Sequence, residues 1–173
     1  MSPQIKTILY TTALGPHTRP VFRFAVNLAR QQNARMVLLH VVEPLSNNVR
    51  FLMDNYLSPE KASELQHEAT RGILEKFHKR LEAFCAEELG TTLEQTTTLS
   101  EIRVVNGLPC EVILEEADRC DADLIVVGAH SGSTPRTTFI GSTTRRLTLL
   151  SKRPVLMVPV ADLPETQWAQ PLV

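Results

Sequence analysis

The chain has 173 residues, 43% of them hydrophobic, and a formal net charge of −1. That is enough apolar content to bury one sizeable core, and it leaves no basic field for holding nucleic acid. No apolar run approaches the roughly 20 residues that a membrane helix requires. Met1-Ser2-Pro3-Gln4-Ile5-Lys6 lacks an apolar signal core, and Cys85, Cys110 and Cys120 form an odd, widely spaced set, so the expected setting is a reducing cytoplasm without membrane attachment.

Strand and helix signals alternate along the chain. Residues 7–12 read as a first strand, and 20–32 as a helix with Thr18 as its cap and Phe22, Phe24, Ala25, Leu28 and Ala29 on its inner face. A second strand is expected over 34–42. Segment 45–57 carries Phe51, Leu52, Met53, Tyr56 and Leu57 where the alternation places a loop; an amphipathic turn packed over the sheet accounts for them, with a lid or contact surface as the functional alternative. Ser58-Pro59 then starts a long helix by cap and first-turn proline, with Leu65, Ile73, Leu74, Phe77, Leu81 and Phe84 at helical spacing up to Leu89-Gly90. Residues 98–106 give strand three, 108–120 a helix, 123–128 strand four, 142–151 the last helix and 155–158 strand five. Five strands alternating with four helices imply an α/β domain. Its sheet is open and parallel, covered by helices on both faces, with a ligand crevice outside the carboxyl ends where strand order reverses.

The stretch Asp123-Leu124-Ile125-Val126-Val127-Gly128 is a buried strand ending in glycine, and thirteen positions later Gly141-Ser142 opens a helix. Free N–H groups and the positive end of the helix dipole would point back at the crevice, forming an anion cradle suited to phosphate. Glycines for packing alone are the alternative reading of the same loop.

This loop, together with Ile8-Leu9-Tyr10-Thr11-Thr12-Ala13, His40-Val41-Val42-Glu43-Pro44 and Val105-Asn106-Gly107-Leu108-Pro109, resembles the universal stress protein family from Ile5 to Val158. The resemblance implies a Rossmann-like, adenine nucleotide alpha hydrolase-like sheet of order 3-2-1-4-5, a single domain over 1–160 and a tail over 161–173. It also implies ATP, with Mg²⁺, as a regulatory ligand in a stress response. Base and ribose are then assigned to Thr11, Thr12, Ala13, Val41 and Val127 beside Gly128, and phosphates to backbone N–H groups near Ser131, Gly132, Gly141, Ser142 and Thr143. Two positions depart from the family pattern. Ser131 stands where the second loop glycine belongs, with Gly132 one place late, and Ala13 replaces the aspartate usual in ATP-binding members. One lost hydrogen bond to a charged acceptor costs about 1.5–3 kcal/mol, or about tenfold to a hundredfold in affinity.

Other polar candidates have structural alternatives. His17 and His130 follow strands one and four and are the only candidates to activate water, although ordinary loop histidines are the favoured reading. His40 reads as a satisfied strand residue, His67 and His78 as helix-surface residues, and Cys110 as packing despite its place in a first turn. Arg136 lies in the loop between the two glycines and reads as a phosphate clamp or a solvated side chain, while Arg145 and Arg146 face water or a partner. No nucleophile elbow, Walker lysine or metal-ligand spacing is present, so binding is expected rather than turnover, with weak ATP hydrolysis as the upper limit. Val155, Leu156, Met157 and Val158 form an apolar edge strand, and the resemblance implies a homodimer through it. The competing function is a universal stress protein that binds no nucleotide and acts through dimerisation and an unidentified protein partner. The tail, with Pro164, Trp168 and Pro171, reads either as dimer packing or as a frayed end.

Overall fold

Strand segments that are apolar at both odd and even positions require cover on both sheet faces, and the architecture meets that demand. A computed structural model describes residues 4–15, 18–90, 96–129 and 140–159. Its elements are β1 (Thr7–Thr12), α1 (Thr18–Gln32), β2 (Arg35–Val42), α2 (Asn47–Tyr56), α3 (Pro59–Leu89), β3 (Leu99–Asn106), α4 (Pro109–Arg119), β4 (Leu124–Gly128), α5 (Ser142–Leu150) and β5 (Val155–Val158). The five strands form one parallel sheet of order β3-β2-β1-β4-β5, as expected.

The two-residue period of the strands divides the core into two layers. On one face Ile8 and Tyr10 of β1, Met36 and Leu38 of β2 and Val126 of β4 pack against α1 and the last turns of α3. On the other face Leu9, Val37, Leu39, Ile125 and Val127 pack against Cys110, Ile113 and Ala117 of α4 and Leu147 of α5. Phe22 of α1 meets Phe84 of α3 edge-on at 5.1 Å, joining the two helices of the first layer.

The long helix starts and stops as its sequence dictates. The Ser58 hydroxyl accepts from the Lys61 N–H at 3.4 Å, Pro59 fills the first turn, and Gly90 adopts a left-handed φ of 64°. At 31 residues α3 is about 46 Å long, so its first turns extend past the sheet and stay largely exposed.

Two expectations need correction. Segment 45–57 is not a loop turn on the sheet: it contains a ten-residue helix, α2, that contacts α3 and leaves Phe51 69% and Tyr56 82% exposed, so the described residues hold five helices. Its short length and unbonded Ser46 cap explain why the local signal was weak. Helix α1 begins at Thr18, two residues early. The Thr18 hydroxyl donates to the Gly15 carbonyl at 2.8 Å and lies 3.3 Å from the Thr12 hydroxyl, binding the β1–α1 loop together.

Two buried carboxylates brace the layers. Glu88 of α3 receives Arg19 and, at 2.7 Å, Arg23 of α1. Glu116 of α4 receives Arg103 of β3 at 2.7 Å and Arg119 at 2.6 Å. Near the start of β1, the Asp123 carboxylate accepts the Lys6 and Thr7 N–H groups at 2.8 and 2.9 Å. Removing one member of a buried pair strands the opposite charge. Glu116→Ala is therefore expected to lower stability by about 2–4 kcal/mol, moderated because Arg103 keeps its pair with Glu101 and Arg119 is largely exposed. Urea unfolding checks this through a lower midpoint at an unchanged slope.

Candidate functional site

Strand order reverses at β1. The chain leaves β1 for α1 on one face and leaves β4 for α5 on the other, so the two exits diverge and open a crevice between them. A cleft of about 240 Å³ lies there, a little under the usual size of small-molecule sites.

Thr11, Thr12, Ala13, Val41, Val127, Gly128 and Thr143 all line this cleft. Gly141 and Ser142 sit at the N-terminus of α5, beside it but outside its lining. Ser131 and Gly132 lie outside the described residues, as do His17, His130, Arg136 and the tail. Parallel register explains the assembly: Thr12 stands opposite His40 and Thr11 opposite Val127, which sets three strand ends side by side.

The α5 end is held in place by short-range bonds. The Gly141 N–H donates to the Ala129 carbonyl at 2.8 Å, and the Thr144 hydroxyl donates to the Gly128 carbonyl at 2.9 Å. Gly141 is the N-cap and offers no side-chain bond to the helix, and the Ser142 and Thr143 N–H groups have no acceptor among the described residues. The first turn carries no acidic residue, and Arg145 and Arg146 are exposed just beyond it. This end of the cleft is electropositive.

At the β1 end Leu14 adopts a φ of 55°, a left-handed conformation that costs a β-carbon-bearing residue about 1–3 kcal/mol. Its N–H is bonded to the Thr12 hydroxyl at 3.1 Å, which supports the turn beside Ala13. Ala13 is exposed at the cleft wall and presents only a methyl group.

The sequence reading missed the contributions of His40 and Glu43 to the cleft. His40 is buried, as expected of a strand residue, and its Nδ1 lies 2.8 Å from the Thr12 carbonyl, which makes that nitrogen the protonated donor. Its ring stands 4.7 Å from Phe77. No local sequence signal marks this place, which follows from the alignment of β2 with β1. Glu43 follows β2 directly and lines the mouth. Cys110 is packed beneath the cleft in the second core layer, and Cys85 and Cys120 are buried free thiols too.

Burial holds the His40 pKa below its ordinary value of 6.5; the Thr12 carbonyl opposes this, and nearby Arg80 adds to it. The unfolded chain takes up its proton near 6.5, whereas the folded chain does so only at lower pH. Stability from this residue is thus intact above 6.5 and declines as pH falls toward the folded value. Melting curves between pH 7 and pH 5 should show a steeper loss for the native chain than for His40→Gln, which keeps a donor for Thr12 but does not titrate.

Among the described residues no helix is long and apolar enough to cross a membrane, and no cluster of His, Cys, Asp or Glu is arranged to hold a metal. Known proteins share this fold. The chain is 24% identical over 162 residues to universal stress protein MJ0577 of Methanocaldococcus jannaschii, covering 91% of this chain and 97% of that one. The solved MJ0577 structure aligns over 93% of this chain and 100% of its own with a TM-score of 0.67 at 21% identity. A universal stress protein in complex with cAMP aligns at a TM-score of 0.53 and 20% identity over 92% and 100% of the two chains. One from Archaeoglobus fulgidus in complex with dAMP gives 0.50 and 17% over 88% and 96%. The model of the universal stress protein family matches residues 4–159, and the chain belongs to that family.

Proposed function

We propose that the cleft binds an adenine nucleotide, ATP with Mg²⁺, as a regulatory ligand whose occupancy is read out as part of a stress response. The observation that carries this reading is the placement of an apolar and hydroxyl-lined cleft next to an uncapped helix N-terminus. Leu39, Val41 and Ile113 provide surface for a base, Thr12 a hydroxyl, and the Ser142 and Thr143 N–H groups a cradle for phosphate. Ser131 and Gly132 complete the proposed phosphate contacts. The cAMP and dAMP bound by the two related proteins support an adenine nucleotide here. No residue is assigned to catalysis: the His40 Nδ1 is engaged by Thr12, and the ligand acts as effector rather than fuel.

Ala13 favours a second reading, in which the domain works by association without nucleotide, because its methyl group cannot accept a ligand hydroxyl. Calorimetric titration of ATP and Mg²⁺ into ligand-stripped protein separates the two. Binding by the native chain at micromolar to low-millimolar affinity is expected, with Ala13→Asp tightening it by about tenfold to a hundredfold. Absence of heat from the native chain, with binding restored by Ala13→Asp, would establish the second reading instead.

Both readings include a homodimer through β5, Val155 to Val158, with a further protein partner left open. Strand β5 is the sheet edge, and Leu149 and Leu150 of α5 remain exposed near it. The Ile125 N–H donates to the Pro154 carbonyl and the Ala129 N–H to the Val158 carbonyl, so Val155 and Met157 direct their backbone groups away from β4. Met157→Pro removes an outward N–H and spares the inward ladder. Sedimentation should show native dimer and variant monomer at micromolar concentration, with little change in the melting of the folded subunit.

A further inference from the structure

One charged side chain lines the cleft among the described residues. Glu43 is exposed at the mouth, one residue beyond β2, and has no hydrogen bond or ion pair with another described residue. Its backbone stem is nonetheless fixed. The Val42 carbonyl immediately before it accepts both the Asn106 side-chain amide and the Gly107 N–H at 3.0 Å, which ties the exit of β2 to the β3–α4 loop. Gly107 is required for that tie. Its φ is +156°, and a Cβ there would come within 2.5 Å of the Val112 side chain.

Charge and position decide which part of a ligand this carboxylate meets. It lies at the β2 side of the cleft, whereas α5 opens from the β4 side, two strand spacings or roughly 10 Å away. A carboxylate repels phosphate, so a nucleotide with its phosphates at α5 turns its hydrogen-bond donors toward Glu43. The inner wall around Leu39, Val41 and Ile113 is apolar and takes the flat base, which leaves the sugar at the polar mouth. A carboxylate accepts strongly from sugar hydroxyls, the same chemistry by which acidic residues hold ribose in dinucleotide folds. Ala13 offers no competing acceptor.

Building on the nucleotide reading above, we propose that Glu43 is the acceptor for the ribose hydroxyls and makes the cleft selective for ribonucleotides over 2′-deoxyribonucleotides. The 2′-hydroxyl is the only group by which the two differ.

The test is a calorimetric titration of ATP and of dATP, each with Mg²⁺, into native protein, Glu43→Ala and Glu43→Gln. The native chain is expected to prefer ATP by about tenfold or more, the worth of a charged hydrogen bond. Glu43→Ala should bring the ratio within about twofold, and Glu43→Gln, a neutral acceptor, should fall between. Because Glu43 is exposed and unpaired, an unchanged melting temperature will show that both variants fold. A ratio in Glu43→Ala equal to the native ratio, or a native chain that binds ATP and dATP alike, overturns the role of Glu43 and leaves nucleotide binding standing. A native chain that binds neither ligand overturns both.

Discussion

The pairing of β1 with β2 on one side and β4 on the other is the constraint from which the cleft follows. Parallel strands align their carboxyl ends, and the registers Thr12↔His40 and Thr11↔Val127 bring three strand exits to one level. Helices α1 and α3 lie on one face and α4 and α5 on the other, so the connections must separate at that level. A one-residue slip of β1 would exchange its two faces, placing Leu9 where Tyr10 belongs and moving Thr12 away from the His40 ring. The same register thus fixes the core and the site.

No brace residue is among those that line the cleft. Glu88 joins α3 to α1, and Glu116 joins α4 to β3, each with two arginines that satisfy its oxygens. A paired buried charge contributes little net stability but penalises any packing that separates the partners. These contacts therefore set where the helices sit more than how tightly the layers adhere. Adhesion comes from the aliphatic side chains of the sheet and from Phe22 and Phe84.

Sheet order and most elements were legible because strands buried on both faces give long apolar runs and the helices carry clear end signals, as Ser58-Pro59 and Gly90 illustrate. Segment 45–57 was not legible as a helix, since α2 buries little of its apolar surface and is held mainly beside α3 rather than by its own caps. Within the cleft, Thr12, Val41 and Gly128 were readable from motif and resemblance. His40 and Glu43 were not, because their place in the lining depends on how β2 aligns with β1 and on how the β3–α4 loop holds Val42. Local pattern does not encode alignment between distant segments.

The three cysteines give the two core layers separate chemical clocks. Cys85 is sealed on the inner face of α3, and burial, with Glu82 and Glu88 nearby, pushes its thiol up to about 12, so in the closed fold it is neither accessible nor ionised. Cys110 of α4 and Cys120 at its end are sealed on the opposite face. An alkylating reagent therefore reaches each thiol only when its own layer opens. The order in which the thiols are trapped would tell whether the two halves of the sandwich breathe independently or only by complete unfolding. A cell under oxidative load meets a domain whose thiols are withheld from oxidants for as long as both layers stay shut.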